Sequence, residues 1–141
     1  KARVGAKGCL QKEGSDFHET LSPVAKQLTI RVLLTLALLF QWPIKQFDIS
    51  NAFLHGVLEE EVYMNQPQGF IDASSPHLVC KLHKSLYGLK QALRAWYSTF
   101  STFLQSQGFL SSHCDSSLFV KKTASSILIL LIYVDDIILT G

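Results

Sequence analysis

Two stretches of the chain repeat apolar residues at the three- and four-residue spacing of an α-helix. The first follows Ser22-Pro23, an N-cap residue and a proline at the first helical position, and it ends before Trp42-Pro43. The second begins at Leu89 and ends at Gly108, a residue type common just after a helix. We predict one helix in each stretch, and we expect the second to bury an aromatic stripe of Trp96, Tyr97, Phe100 and Phe103.

Strand patterns surround the helical stretches. Residues 44–49 alternate, with Gln46 and Asp48 on the polar face, which predicts a half-buried strand. The apolar patterns of residues 117–122 and 127–134 predict two further strands. After a tight turn, residues 137–140 predict a last strand that runs antiparallel to residues 127–134. The last two strands therefore form a predicted hairpin with Asp135 and Asp136 at its tip.

Asp135 and Asp136 interrupt the most apolar part of the sequence. Two like charges about 4 Å apart repel by about 4 kcal/mol at an effective dielectric constant of about 20, and burial of unpaired charge adds to that cost. A hard divalent cation bound by carboxylates, with Asp48 as a third ligand from another strand, relieves the repulsion. A solvated Asp-Asp turn without a bound ion is the alternative.

Composition narrows the class of protein. The 141 residues are 48% hydrophobic, which is enough for one domain with its own core. Three widely spaced cysteines do not form a disulfide framework, so we expect a reduced, intracellular protein. No apolar run is long enough for a membrane span and the opening lacks the core of a cleavable leader, so we expect no membrane partner.

The distribution of charge along the chain is more informative about binding partners than the net charge of +2. The first twelve residues carry four cations and no acid, and no acid lies between Asp72 and Asp115. The carboxylates are confined to a few other positions. Segregation of this kind favours an anionic partner such as nucleic acid.

Long ordered motifs identify a family. QFDISNAFLHGVLEEEVYMNQPQGF, LHKSLYGLKQALRAWY, LILLIYVDDIILTG and the opening KARVGAKGCLQKEGSDFHETLSPVAK resemble the reverse transcriptase of copia-type LTR retrotransposons, over essentially all 141 residues. The resemblance implies an α+β fold: a partial right-hand polymerase palm, an antiparallel sheet backed by helices, with part of the fingers. Fingers-type segments would span about 1–40 and 57–88, and palm-type segments about 41–56 and 89–141, with thumb and RNase H absent from the chain.

The resemblance also implies roles for individual residues. The catalytic and metal-binding carboxylates would be Asp48, Asp135 and Asp136, holding two Mg²⁺ ions for which Mn²⁺ is a possible substitute, with Asp136 less directly engaged. Phe53 matches the aromatic residue that excludes a ribose 2′-hydroxyl, although an ordinary core phenylalanine is the alternative. The other nucleotide-binding residues would be Lys1, Arg3, Lys7, Tyr87 and Gly88, and the nucleic-acid-binding residues would be Lys90, Gln91 and Arg94, with Lys90 and Arg94 on one helix face.

The expected activity is that of an RNA-directed DNA polymerase, which adds deoxynucleotides to a primer 3′-hydroxyl. Its partners would be an RNA or DNA template with primer, deoxynucleoside triphosphates, and the protease, integrase and RNase H of a larger Pol polyprotein in a cytoplasmic virus-like particle. Leu93 stands where the family usually has proline, and the chain stops five residues after Asp136. We therefore expect the isolated chain to be inactive. The alternatives are an inert remnant with weak nucleic-acid binding and an unrelated metal-binding module.

Overall fold

The computed structural model describes residues 4–141 as a chain of antiparallel sheets and two α-helices, which confirms the α+β class. Lys1 and Arg3 lie outside the described residues, so their predicted contacts with nucleotide remain predictions. Two short 3₁₀ turns span Gly8–Leu10 and Ala52–His55. The helices and strands are α1 (Gln27–Leu39), β1 (Lys45–Asp48), β2 (Val57–Asn65), β3 (Val79–Lys84), α2 (Ala92–Ser106), β4 (Leu110–Ser111), β5 (Leu118–Lys122), β6 (Ile127–Tyr133) and β7 (Asp136–Thr140).

The chain divides into two compact units. The first consists of the segment up to Leu21 together with Phe53–Thr99, and the second of Ser22–Ala52 together with Phe100–Gly141. Residues 22–40 therefore fold with the segment that carries Asp135 and Asp136. The names palm and fingers remain predictions. Neither of the helices in the described part of the chain has the length and hydrophobicity that a membrane span requires.

The second unit is built on a five-stranded antiparallel sheet in the order β1-β7-β6-β5-β4. The apolar run of β6 lies in the middle of this sheet, and its residues 129–132 are buried. Helix α1 supplies Leu33, which packs in one cluster with Ile129 and Leu131. The expectation of a half-buried β1 is wrong: all four of its residues are exposed, since β1 is an edge strand with a neighbour on one side only.

Helix α1 begins at Gln27, five residues after the predicted N-cap Ser22. Its N-cap residue, Lys26, makes no side-chain cap. The capping carboxylate comes instead from Asp115, whose Oδ2 accepts hydrogen bonds from the backbone N–H of Lys26 (3.0 Å) and the hydroxyl of Thr29 (2.6 Å). The start of the helix is thus decided by a residue far away in the sequence, which no local signal at Ser22 reveals.

The first unit combines the β2–β3 hairpin with the start of α2. Leu58 and Val62 of β2 pack against Leu89, Ala92 and Ala95. This helix begins at Ala92 and not at the predicted Leu89, because residues 90 and 91 form a turn.

The aromatic stripe of α2 is only partly in the core, although the sequence analysis expected all of it there. Trp96 is 4% exposed and therefore belongs to the core, whereas Phe103 is 54% exposed. The apolar stripe therefore predicts the helix correctly but overestimates how much of it is covered.

Candidate functional site

The Asp-Asp hairpin turns one residue earlier than predicted. Tyr133 pairs with Asp136 across the β6–β7 ladder, so Val134 and Asp135 form the two-residue loop and Asp136 begins β7. Val134 has φ +59, a left-handed conformation that a β-branched side chain rarely adopts. Strain of this kind persists where surrounding structure enforces it, and it is common at functional sites.

Asp48 comes from another strand, as predicted, and this strand is adjacent to the hairpin. Strand β1 pairs antiparallel with β7, and Asp48 lies directly opposite Asp136. Directly opposite residues project to the same face of a sheet, so these two carboxylates share a face. The backbone N–H of Ile49 also donates to the carbonyl of Asp135 at 2.9 Å, which ties the loop to the end of β1.

Gln46 is a further polar residue on this face, two residues before Asp48. Its Nε2 donates to Oδ1 of Asp136 at 3.1 Å. The amide fixes one carboxylate oxygen of Asp136 and leaves the other oxygen for a different partner. The alternation of β1 predicts Gln46 on the polar face of the strand, but nothing in the sequence indicates its hydrogen bond to Asp136.

The position of the carboxylates explains how the chain tolerates them. Asp48 is exposed, and Asp135 and Asp136 are half-buried at the end of the hairpin, outside the apolar interior of the sheet. Solvent therefore screens part of their repulsion.

Hard carboxylate oxygens on a shared face fit a divalent cation of the Mg²⁺ type. Within residues 4–141, however, no three His, Cys, Asp or Glu residues are close enough to form a metal site. The evidence for a divalent-cation site is therefore the shared face of Asp48 and Asp136. Convergence of all three carboxylates on one ion remains a prediction.

Phe53 and Tyr87, two predicted nucleotide-binding residues, contact each other in the first unit. Their rings are 5.4 Å apart between centroids and nearly perpendicular, at 89°. Phe53 also packs against the buried cluster that contains Leu58 and Leu89, although it is itself only half-buried. Phe53 therefore has a core contact as well as an accessible side.

Lys7, another predicted nucleotide-binding residue, is exposed and lines a cleft of about 780 Å³ in the first unit. One wall of this cleft is the N-terminal strap, which we define as residues 4–17. The opposite wall is β2 with the residues that follow it, where Asn65 and Gln68 supply amide groups. The amide of Gln66 also lines the cleft, but it is already hydrogen-bonded within the chain. The cleft combines the cation of Lys7 and these amides with the carboxylate of Asp16, whose Oδ2 accepts from the N–H of Lys12 at 2.8 Å, so its lining suits a polar ligand.

Gly88 permits a close backbone approach, but its neighbour is the strap. It has φ +92, and a Cβ at this position would lie 2.2 Å from the carbonyl oxygen of Ala6. The backbone N–H of Ala6 in turn donates to the carbonyl of Tyr87 at 2.7 Å. The neighbour that the structure shows is thus the chain's own N-terminal segment, and the nucleotide contact that the resemblance implies for Gly88 remains a prediction.

Replacing Gly88 by alanine is expected to lower the free energy of unfolding by about 2–5 kcal/mol. A left-handed φ costs a residue with a Cβ about 1–2 kcal/mol, and the clash with Ala6 adds about 1–3 kcal/mol. Gly69 is the matched control, because it has φ +87 and, among the described residues, no atom lies within 4 Å of an added Cβ. Urea denaturation should therefore show a clearly smaller loss for Gly69→Ala, and equal losses would contradict a close contact at Gly88.

The three predicted nucleic-acid-binding residues have different environments. Lys90 is exposed and precedes α2, so it does not share a helix face with Arg94 as the sequence analysis expected. Gln91 is completely buried, and its side chain has no surface to offer to a template. Arg94 is paired with Glu60 and donates from Nε to the carbonyl of Glu19 at 3.0 Å.

A direct contact of Gln91 with nucleic acid is therefore not supported by its placement, and Arg94 is already engaged by protein groups. Sequence spacing alone could not show this, because the partners of both side chains lie in distant segments. Leu93 is the second residue of α2. Proline is tolerated in the first turn of a helix, so leucine at this position leaves the start of the helix unchanged.

The similarity of this chain to known proteins extends over its whole length. A family described as reverse transcriptase (RNA-dependent DNA polymerase) matches residues 1–141. The chain is 52% identical over 141 residues to the retrovirus-related Pol polyprotein from transposon RE2 of Arabidopsis thaliana, and 49% identical over 142 residues to that from transposon TNT 1-94 of Nicotiana tabacum. These alignments cover 100% of this chain but 10% and 11% of the two polyproteins.

A more distant relative is the transposon Ty1-NL2 Gag-Pol polyprotein of Saccharomyces cerevisiae, which is 33% identical over 144 residues. That alignment covers 99% of this chain and 8% of the polyprotein. The chain thus spans about a tenth of the length of these relatives. No solved structure matches it.

Proposed function

The chain belongs to the reverse transcriptase family, in the lineage of copia-type retrotransposon Pol polyproteins, and we propose from this premise that it carries the catalytic carboxylates of an RNA-directed DNA polymerase. One observation carries the proposal. In a chain that matches the family over residues 1–141, Asp48 lies directly opposite Asp136, beside the turn that holds Asp135.

The proposed reaction joins a deoxynucleotide to the 3′-hydroxyl of a primer paired with an RNA or DNA template. Asp48, Asp135 and Asp136 would hold divalent cations, which supply charge neutralisation at the transferred phosphoryl group and activation of the attacking hydroxyl. Gln46 orients the carboxylate of Asp136 through its hydrogen bond to Oδ1. Lys7 contributes a point charge for the triphosphate at the cleft of the first unit.

The proposal extends to the architecture and to the partners. The five-stranded sheet would belong to the palm, and the β2–β3 hairpin with the strap to the fingers. Lys90, which is exposed although its Nζ also donates to the carbonyl of Gln11 at 3.3 Å, would face the template backbone. Because the relatives are Pol and Gag-Pol polyproteins, we propose that the chain acts as part of such a polyprotein with protease, integrase and RNase H, in a cytoplasmic virus-like particle.

Primer extension tests the proposed activity. A Pol chain that contains these 141 residues and the sequence flanking them is incubated with Mg²⁺, a primed RNA template and the four deoxynucleoside triphosphates. We expect extension that depends on the template and on the divalent cation. Salt-sensitive binding to the primer–template without any extension would refute the proposal and favour a nucleic-acid-binding remnant.

Replacing Phe53 by valine is expected to raise the use of ribonucleotides relative to deoxynucleotides by about tenfold to a hundredfold. A smaller side chain at the accessible edge of Phe53 would leave room for a 2′-hydroxyl, and single contacts of this size discriminate by such factors. The measurement is kcat/KM for matched ribo- and deoxynucleotides in primer extension. Phe70, which is 78% exposed, is the matched control for the same substitution.

The same Phe53→Val variant also loses the edge-to-face contact with Tyr87, and such a contact contributes about 0.5–1.5 kcal/mol. Thermal unfolding of the variant separates this effect from sugar selection. If stability falls and the ratio of ribo- to deoxynucleotide use stays constant, Phe53 is a core residue and not the residue that selects the sugar.

A further inference from the structure

The backbone of the N-terminal strap contacts the backbone of the loop of residues 85–91 directly. Gly5 forms a parallel bridge with Tyr87, and the N–H of Ala6 donates to the carbonyl of Tyr87 at 2.7 Å. Immediately after Lys7, an added Cβ at Gly8 would lie 1.8 Å from the carbonyl oxygen of Gly88. The two backbones therefore approach so closely that neither Gly8 nor Gly88 has room for a side chain.

The side-chain amides of two glutamines also hold the strap against this loop. Gln91 is completely buried, and its Nε2 donates to the carbonyl of Asp16 at 3.0 Å while its Oε1 accepts from Nε2 of Gln11 at 3.0 Å. Oε1 of Gln11 accepts from the backbone N–H of Lys90 at 2.8 Å. The oxygen and nitrogen of both side chains thus have partners, and a buried amide that lost them would be strongly disfavoured.

Lys7 lies in the sequence among the backbone contacts of the strap and ahead of its glutamine contact with the loop. Its neighbours Ala6 and Gly8 are both held against the loop, and Gln11 anchors the strap four residues later. The backbone of Lys7 is therefore fixed, whereas its side chain is exposed at the cleft. A cation on a fixed backbone binds an anion with less loss of conformational entropy than one on a mobile segment.

We propose that Gln91 and Gln11 form a positioning pair that preorganises Lys7 for the triphosphate of the incoming nucleotide, and that Gln91 itself does not contact nucleic acid. This inference rests on the proposed function, because it assigns Lys7 to the nucleotide. Through Lys7, the pair acts on nucleotide binding and leaves the chemical step unchanged.

Steady-state kinetics of the longer Pol chain test the action through Lys7. We expect Gln11→Ala and Gln91→Met each to raise KM for the nucleotide by about tenfold while kcat changes by less than about twofold, because only binding is weakened. In a Lys7→Ala background, Gln11→Ala should change KM by less than about twofold, since the residue that it positions is gone. Gln105→Ala, which removes an exposed glutamine of α2, is the matched control and should leave both constants unchanged.

Equal rises in KM with and without Lys7 would overturn the proposal, because the glutamine pair would then act on the fold in general. A fall in kcat at unchanged KM would overturn it as well. The milder variant Gln11→Ala keeps the test valid if Gln91→Met fails to fold, because Gln11 is only half-buried.

Hydrogen exchange tests these contacts of the strap independently of activity. In the 141-residue chain, Gln91→Met and Gln11→Ala should speed exchange of the Ala6 amide by about tenfold or more and leave the amides of β6 unchanged. Unchanged exchange at Ala6 would overturn the positioning pair whatever the kinetics show. A wild-type Pol chain that never extends a primer would refute the proposed function instead, and the exchange rates would then decide alone whether the pair holds the strap.

Discussion

Replacing Asp48 by asparagine is expected to lower the rate of primer extension by at least about 10³-fold, equivalent to about 4 kcal/mol of transition-state stabilisation. The substitution keeps the shape of the side chain and removes its charge. An exposed residue on an edge strand contributes little to the fold, so the loss should fall on activity and not on stability. Asp135→Asn is expected to behave in the same way.

The measurement is single-turnover extension of a primed RNA template by the longer Pol chain. Glu59→Gln is the matched control, because Glu59 is an exposed carboxylate on β2 of the first unit. Extension by Asp48→Asn at close to the wild-type rate would remove Asp48 from the proposed catalytic set.

A second measurement on the same variant concerns the cation directly. Mg²⁺ that binds the folded chain should raise its melting temperature by mass action, and Asp48→Asn should remove most of that increase. A melting temperature that does not respond to millimolar Mg²⁺ in the wild-type chain would contradict a site formed by these carboxylates alone.

Replacing Asp115 by asparagine is expected to lower the free energy of unfolding by about 3–5 kcal/mol. Asp115 is 5% exposed, and its oxygens accept four hydrogen bonds, from the N–H and hydroxyl of Ser117, the hydroxyl of Thr29 and the N–H of Lys26. Asparagine replaces one of those oxygens with an NH₂ group, which cannot accept. Two donors then lose their partners in a buried place, at about 1–3 kcal/mol each. The two are Lys26 and Thr29 at the start of α1 if the NH₂ group replaces Oδ2, and both groups of Ser117 if it replaces Oδ1.

Asp72 provides a matched control within the same chain. It accepts hydrogen bonds from the N–H and the hydroxyl of Ser74, two residues later, as Asp115 does from Ser117. Asp72 is exposed, and these two donors belong to a residue only two positions away in the same turn. Urea denaturation should show a much smaller effect for Asp72→Asn, and equal effects would contradict the capping role of Asp115.

The pH dependence of stability provides a second readout of Asp115. Burial acts to raise the pKa of this carboxyl, but the hydrogen bonds from Ser117, Thr29 and Lys26 outweigh burial and lower the pKa from 3.8 to about 2. The unfolded chain therefore binds more protons than the folded chain between about pH 4 and pH 2, and stability falls as the pH falls through this range. The contribution at neutral pH is about 2 kcal/mol, and it should be absent from the acid unfolding profile of Asp115→Asn.

The sequence predicts the three carboxylates of the proposed site but not the residues that support them. Asp48, Asp135 and Asp136 are marked by an alternating strand, an apolar run and a turn, and the structure brings their strands together. Gln91 and Arg94 were assigned to nucleic acid because their positions match the family motif. That assignment did not anticipate the burial of Gln91 or the ion pair of Arg94, since a motif gives the residue type and not its neighbours.

By itself, the sequence determined the features that depend on neighbouring residues. The central strand β6, the hairpin that follows it and the two helices arise from hydrophobic periodicity, which acts over a few residues. Long contiguous motifs likewise determined the family. Only the tertiary structure decided which distant groups meet: Asp115 with Lys26, Gln11 with Gln91, and Gln46 with Asp136. These pairs are 80–90 residues apart, and no local pattern encodes them, because packing of the whole chain selects partners over such separations.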